Sequence, residues 1–162
     1  MLPGQRVADL GCWPGGWLQV AAEVVGPAGC VVGVDRATLD PLGLANVRVL
    51  AADLAEPGTA EQIREALGGP ADVVLCDAAP KLTGVRATDR ANEEALLEAV
   101  AALLPAVLRA EGSLLLKLLE GPEAIEVARR IGARFASART TRPAATRKGS
   151  AEKYLVARGY RT

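Results

Sequence analysis

Apolar positions along the chain alternate between two rhythms. Val7-Ala8-Asp9-Leu10 is a short apolar run ending in a glycine-rich turn, and Gly16 to Val25 then carries apolar residues at helical spacing until Gly26-Pro27 stops it. The pattern predicts strand, turn, helix. Cys30-Val31-Val32-Gly33-Val34 is rich in β-branched residues and ends at Asp35; Val47-Arg48-Val49-Leu50 leads to Asp53; Asp72-Val73-Val74-Leu75-Cys76 ends at Asp77. Helical spacing separates these strands from Thr59 to Leu67 and again from Asp89 to Ala110, where Pro105 is expected to kink or split the helix. Ser113 to Leu119 reads as the next strand. Gly121 and Pro122 open a helix to about Ile131, Arg134 to Ser137 reads as a short strand, and Lys153 to Ala157 as the last one.

Strands alternating with helices imply an α/β domain with a largely parallel sheet covered on both faces. With no repeat or linker in view, residues 1–162 are expected to form a single domain. Ligands of such sheets bind beyond the carboxyl ends of the strands. Asp35, Asp53 and Asp77 are expected there. One such aspartate would be an ordinary turn or N-cap residue; three at successive strand ends point to a site.

Composition narrows the chemistry. Half of the 162 residues are apolar, enough for a core, yet no apolar stretch approaches the ~20 residues of a membrane span. The N-terminus lacks a signal-like apolar core, and Cys12, Cys30 and Cys76 are odd in number and lie in or beside apolar runs, so a reducing cytoplasm is the expected compartment. There is no histidine, which removes histidine triads, histidine metal ligands and histidine bases. Charge is neutral overall but uneven: residues 1–128 hold nine basic and eighteen acidic groups, residues 129–162 ten basic and one acidic. Such a basic segment suits a polyanion, because arginine forks match phosphate. Arg139, Arg142, Arg147 and Lys148 are the candidates for phosphate contact. Five aromatic residues are too few for a base-stacking sheet, so an electrostatic groove would do most of the holding.

The turn Asp9-Leu10-Gly11-Cys12-Trp13-Pro14-Gly15-Gly16-Trp17 follows the first strand and opens a helix, where backbone approaches a ligand closely and glycine leaves room. It is not G-x-G-x-x-G, and Pro14 removes an amide that a pyrophosphate would use, which disfavours a nicotinamide-dependent dehydrogenase. Asp35 suits a ribose diol, and Asp53 a position near an adenine. A diol grip without a phosphate cradle fits S-adenosyl-L-methionine.

These motifs resemble a known family. The turn from Asp9, Cys-Asp-Ala-Ala-Pro from Cys76, Leu-Lys-Leu from Leu116 and Glu152-Lys153-Tyr154-Leu155-Val156-Ala157 are similar in order and spacing to the FtsJ/RrmJ family of RNA ribose 2′-O-methyltransferases, across nearly the whole chain. The resemblance implies a Rossmann-like methyltransferase sheet with an antiparallel last strand, and cofactor contacts at Gly11, Gly15, Trp17, Asp35, Asp53 and Asp77. It also implies a Lys-Asp-Lys-Glu catalytic tetrad whose last three members match Asp77, Lys117 and Glu152. The family's first lysine lies further upstream of the turn than the eight residues that precede Asp9. A longer native chain or a catalytically impaired cofactor- and RNA-binding relic are the expectations that follow.

Lys117 lies within Leu114-Leu115-Leu116-Lys117-Leu118-Leu119 and is one of only four lysines. Methyl transfer to a hydroxyl requires in-line placement and removal of a proton. Burial would make the lysine a base, whereas Asp77 and Glu152 nearby would keep it an ammonium that orients the hydroxyl or stabilises the developing oxyanion. The expected protein is a monomeric, cytoplasmic methyltransferase that needs no metal and acts on RNA, by resemblance that of the large ribosomal subunit.

Overall fold

A computed structural model of the chain describes residues 1–80, 83–119, 121–142 and 152–162. At its centre lies β1 (Arg6–Leu10), parallel to β2 (Cys30–Asp35) on one side and to β4 (Ala71–Cys76) on the other. β3 (Val47–Ala51) extends the sheet beyond β2, and β5 (Leu108–Leu118) extends it beyond β4, both parallel. β7 (Lys153–Tyr160) inserts antiparallel between β5 and β6 (Phe135–Thr141), giving the order β3-β2-β1-β4-β5-β7-β6. The chain leaves β1 toward β2 and returns to its other side at β4. That reversal opens a crevice beyond the carboxyl ends of the strands.

The continuous apolar runs of β1, β2 and β4 reflect burial on both faces. Ala8, Leu10, Val32, Val34, Val74 and Cys76 pack under α2 (Thr59–Leu67), α3 (Arg86–Val107) and α4 (Pro122–Gly132). The alternate positions Val7, Val31, Val73 and Leu75 meet Leu18, Ala21, Ala22 and Val25 of α1 (Gly16–Val25). Helices thus cover both faces, as expected. Among the described residues, no helix is long and apolar enough to cross a membrane.

Four elements depart from the local pattern. α3 starts at Arg86 because Asp89 accepts hydrogen bonds from Thr83 N at 2.7 Å, Thr83 Oγ1 at 2.8 Å and Gly84 N at 3.2 Å, which organises the turn before it. Pro105 does not split the helix: it sits in the last turn, and the helix ends at Val107 rather than Ala110. Leu108 to Ala110 are extended instead, the start of a strand that begins five residues before Ser113 and is irregular. Its register with β4 shifts between Ala71 and Val73, Glu111 adopts φ 62°, and a Cβ on Gly112 would stand 2.5 Å from Leu108 Cδ1. β6 and β7 run to Thr141 and Tyr160, well past their expected ends, because they pair with each other. Phe135 and Tyr160 seal that pairing with ring centroids 5.1 Å apart.

Candidate active site

The glycine turn is built by backbone geometry. Gly11 has φ 76°, and a Cβ there would lie 2.5 Å from Ala78 Cα, so only glycine lets this turn lie against the segment that follows β4. Gly11 N donates to Val34 O at 2.8 Å and Gly15 N to Cys12 O at 2.7 Å. Trp13 N donates to Asp35 Oδ2 at 3.0 Å, and Ala37 N to Asp35 Oδ1 at 2.9 Å. Each Asp35 oxygen is thereby held by one amide and keeps a lone pair for a ligand hydroxyl.

A cleft of about 730 Å³ opens beyond the strand ends, with Gly11, Trp13, Asp35, Asp53, Asp77 and Lys117 in its wall. Asp53 accepts from Ala55 N at 2.9 Å and faces Arg36 at 3.6 Å. On the other side Lys117 Nζ donates to Asp77 O at 2.7 Å and lies 3.1 Å from Asp77 Oδ1. The lysine side chain is only 10% exposed. Tyr154, the register partner of Lys117 across β5 and β7, donates its hydroxyl to Asp77 Oδ1 at 3.2 Å. Asp77 therefore gathers an ammonium and a phenol at the cleft wall.

Five of the sequence-expected residues meet in this cleft: Gly11, Asp35, Asp53, Asp77 and Lys117. Gly15 does not face it. That residue forms the N-cap of α1 with φ 102°, and a Cβ would point toward Leu39 and Leu42. Trp17 stacks on Tyr154, with ring centroids 5.9 Å apart and planes 28° apart, and so reaches Asp77 through the tyrosine. Glu152 is felt at the same place: burial, Asp77 and Glu152 together push the Tyr154 phenol up to about 12. Of the phosphate-contact candidates, Arg139 is exposed on β6 and Arg142 follows it, while Arg147 and Lys148 lie outside the described residues.

Two further carboxylates, Asp9 and Glu93, are buried. Asp9 is fully buried in β1, between β2 and β4, with neither carboxylate oxygen hydrogen-bonded. Burial, then Asp77, then Asp35 push its carboxyl up to about 7. A polar residue on the apolar face that Val7 shares was the available signal. Glu93, buried in α3, accepts from Leu119 N at 2.6 Å and so holds the chain just past Lys117; burial raises its carboxyl, an amide bond offsets part of this, and Glu123 adds to it. No local signal marks that contact, which spans 26 residues. The cleft is rich in acid: Asp35, Asp53 and Asp77 in the wall, with orphaned Asp9 in electrostatic reach of two of them. Such a donor and charge set fits a cationic nucleoside, since a buried carboxylate without a partner is costly until a positive group approaches.

A mostly parallel sheet with an antiparallel strand inserted next to its edge, and a glycine turn facing an acidic strand end, is the Rossmann-like architecture of methyltransferases. The chain belongs to the FtsJ-like methyltransferase family, which matches residues 1–160. It is 41% identical over 158 residues to the ribosomal RNA large subunit methyltransferase E of Methanothermobacter thermautotrophicus, covering 98% of this chain and 75% of that protein. The protein of the same name from Ruegeria pomeroyi is 37% identical over 169 residues, with coverage of 99% and 72%. Among solved structures, one described as a ribosomal RNA methyltransferase of Plasmodium falciparum superposes with a TM-score of 0.82 at 23% identity, covering 98% of this chain and 87% of that one. Aeropyrum pernix fibrillarin, solved with S-adenosyl-L-methionine bound, shares the fold with a TM-score of 0.67 at 16% identity over 96% of this chain and 67% of its own.

Proposed function

We propose that this methyltransferase transfers a methyl group from S-adenosyl-L-methionine to a ribose 2′-hydroxyl of large-subunit ribosomal RNA, in the cytoplasm. The observation that carries the reading is the Lys117–Asp77 contact, 3.1 Å between Nζ and Oδ1, at the wall of a cleft floored by a glycine turn. The names and reach of the relatives, and the family itself, support it. When bound, the cofactor supplies an electrophilic methyl on a sulfonium. Asp35 holds the cofactor's ribose diol through the lone pairs its two amide bonds leave free, Asp53 stands by the adenine, and Gly11, with Gly15 shaping the turn, lets the backbone approach.

Lys117 spends two of its hydrogens on Asp77 O and Oδ1 and presents the third to the attacking hydroxyl. It orients that oxygen and stabilises its developing negative charge, while the Asp77 carboxylate stands ready to receive the proton that leaves. Tyr154, stacked on Trp17 and influenced by Glu152, steadies Asp77. Placement of this kind contributes roughly 7–11 kcal/mol to such a displacement. Arg139, Arg142, Arg147 and Lys148, in the basic segment 129–162, contact RNA phosphates.

The test is incubation with a tritiated methyl donor and large ribosomal subunits lacking the modification, followed by digestion to nucleosides. Label in a 2′-O-methylnucleoside is expected. Label on a base overturns the ribose assignment, and cofactor binding without transfer assigns the chain to the catalytically impaired class.

A further inference from the structure

A second groove, of about 830 Å³, lies across β5 from the cleft, between α4 and the β6–β7 pair. Its floor is apolar, with Leu118, Ala128 and Leu155, and its rim carries Arg90, Arg139 and Lys153. Ile125 projects into it from α4 and is 61% exposed. Arg129 adds a further guanidinium, ion-paired at 2.7 Å with Glu126 one turn back. No carboxylate occurs among the described residues that line the groove, whereas the cleft wall carries three aspartates. Among the described lining residues, the cleft carries Asp35, Asp53 and Asp77 beside Arg36 and Lys117, whereas the charged residues of the groove are all cations.

The two basins share one ridge. Along β5, Lys117 faces the cleft and its neighbour Leu118 floors the groove, as strand alternation requires. At the start of α3, Arg90 faces the groove and Asn92 the cleft. A strand whose ribose sits at Lys117 needs only to cross the end of β5 to enter the groove.

We infer that this groove holds a single-stranded nucleotide flanking the methylated ribose, its base against Ile125 and the apolar floor and its phosphate at Arg90 and Arg139. This rests on the ribose-methyltransferase reading and adds a second contact to it. An apolar floor would be wasted on phosphates alone, and cations at the rim would be idle for an apolar peptide; a nucleotide has a flat apolar face and a charged edge. The volume is that of a small-ligand site, too confined for a duplex.

Fluorescence anisotropy with a long oligouridylate, at several salt concentrations, tests the groove in the full chain. Ile125 and Arg139 are exposed, so Ile125→Ala and Arg139→Gln are expected to keep the wild-type melting temperature. Arg139→Gln is expected to weaken binding and to reduce the slope of log affinity against log salt by about 0.7, one single-strand phosphate contact. Ile125→Ala is expected to weaken binding about tenfold with the slope unchanged, the loss of roughly two methylenes of buried contact. Both variants keep wild-type affinity for S-adenosyl-L-methionine. Wild-type affinity in Ile125→Ala would overturn the groove, whatever Arg139→Gln does as a phosphate contact, while leaving the ribose reading intact. Displacement of the RNA by polyglutamate at lower concentration than by oligouridylate would overturn it in favour of an acidic protein partner. A wild-type chain that binds no oligouridylate would overturn the groove and leave the ribose reading to the methyl-transfer test.

Discussion

Tyr154 donates its hydroxyl to Asp77 Oδ1 at 3.2 Å while its ring stacks on Trp17, tying the helix after the glycine turn to the end of β4. One side chain thus links the two segments that frame the cleft. Replacing Tyr154 by Phe keeps the ring and deletes the bond. The expected cost of a hydrogen bond to a charged carboxylate is about 1.5–3 kcal/mol, so kcat should fall about tenfold to a hundredfold with a small change in melting temperature. Tyr154→Ala, which also removes the stacking, should lower both. Steady-state kinetics beside a thermal melt separates the two effects.

Asp35 is the second handle. Its oxygens already accept from Trp13 N and Ala37 N, so the carboxylate is fixed before a ligand arrives. Asp35→Ala is expected to weaken S-adenosyl-L-methionine binding by about tenfold to a hundredfold, the worth of charge-assisted hydrogen bonds to a diol, with melting temperature reduced modestly as the turn loses its anchor. Calorimetric titration reads the affinity directly.

Gly11 leaves no room for a side chain. A Cβ would lie 2.5 Å from Ala78 Cα and Cβ, and φ 76° is unfavourable for alanine. Gly11→Ala should destabilise the protein by about 1–3 kcal/mol through overpacking and push the turn away from residue 78. A lowered melting temperature with lost cofactor affinity is the expected pair of observations.

Asp9 makes stability depend on pH. Its folded carboxyl titrates at about 7 rather than 3.8, chiefly through burial. Between those values the native state holds a proton that the unfolded chain has lost, so stability is full below about pH 4 in this respect and declines as pH rises through 7. The shift corresponds to about 4 kcal/mol across that window. Asp9→Asn should flatten the decline, and saturating S-adenosyl-L-methionine should reduce it by supplying positive charge near the carboxylate. Chemical denaturation at several pH values measures both.

Much of this site was legible in the chain because strand ends announce themselves locally. Asp35 and Asp77 terminate β-branched runs, and Lys117 interrupts a leucine run, so their placement required only the alternation of strands and helices. Tyr154 was not legible as a partner of Asp77, since that contact depends on β7 inserting between β5 and β6, a pairing set by tertiary packing. The same insertion carried β6 and β7 past their apparent ends. α3 stopped short of Ala110 because Leu108 joined the sheet beside Ala71, a long-range competition that an Ala/Leu/Glu-rich composition conceals. Asp9 was visible as a polar interruption of β1, but its lack of any partner appeared only once both flanking strands were in place.

In the mechanism proposed for the site, Lys117, held by Asp77, serves the hydroxyl rather than the cofactor. Single-turnover methyl transfer to large-subunit RNA, measured for the wild type and for Lys117→Met alongside the S-adenosyl-L-methionine dissociation constant of each, addresses this role directly. The rate in the variant is expected to be lower by about 10²–10⁴ with cofactor affinity unchanged. A variant that transfers methyl groups at the wild-type rate would contradict it.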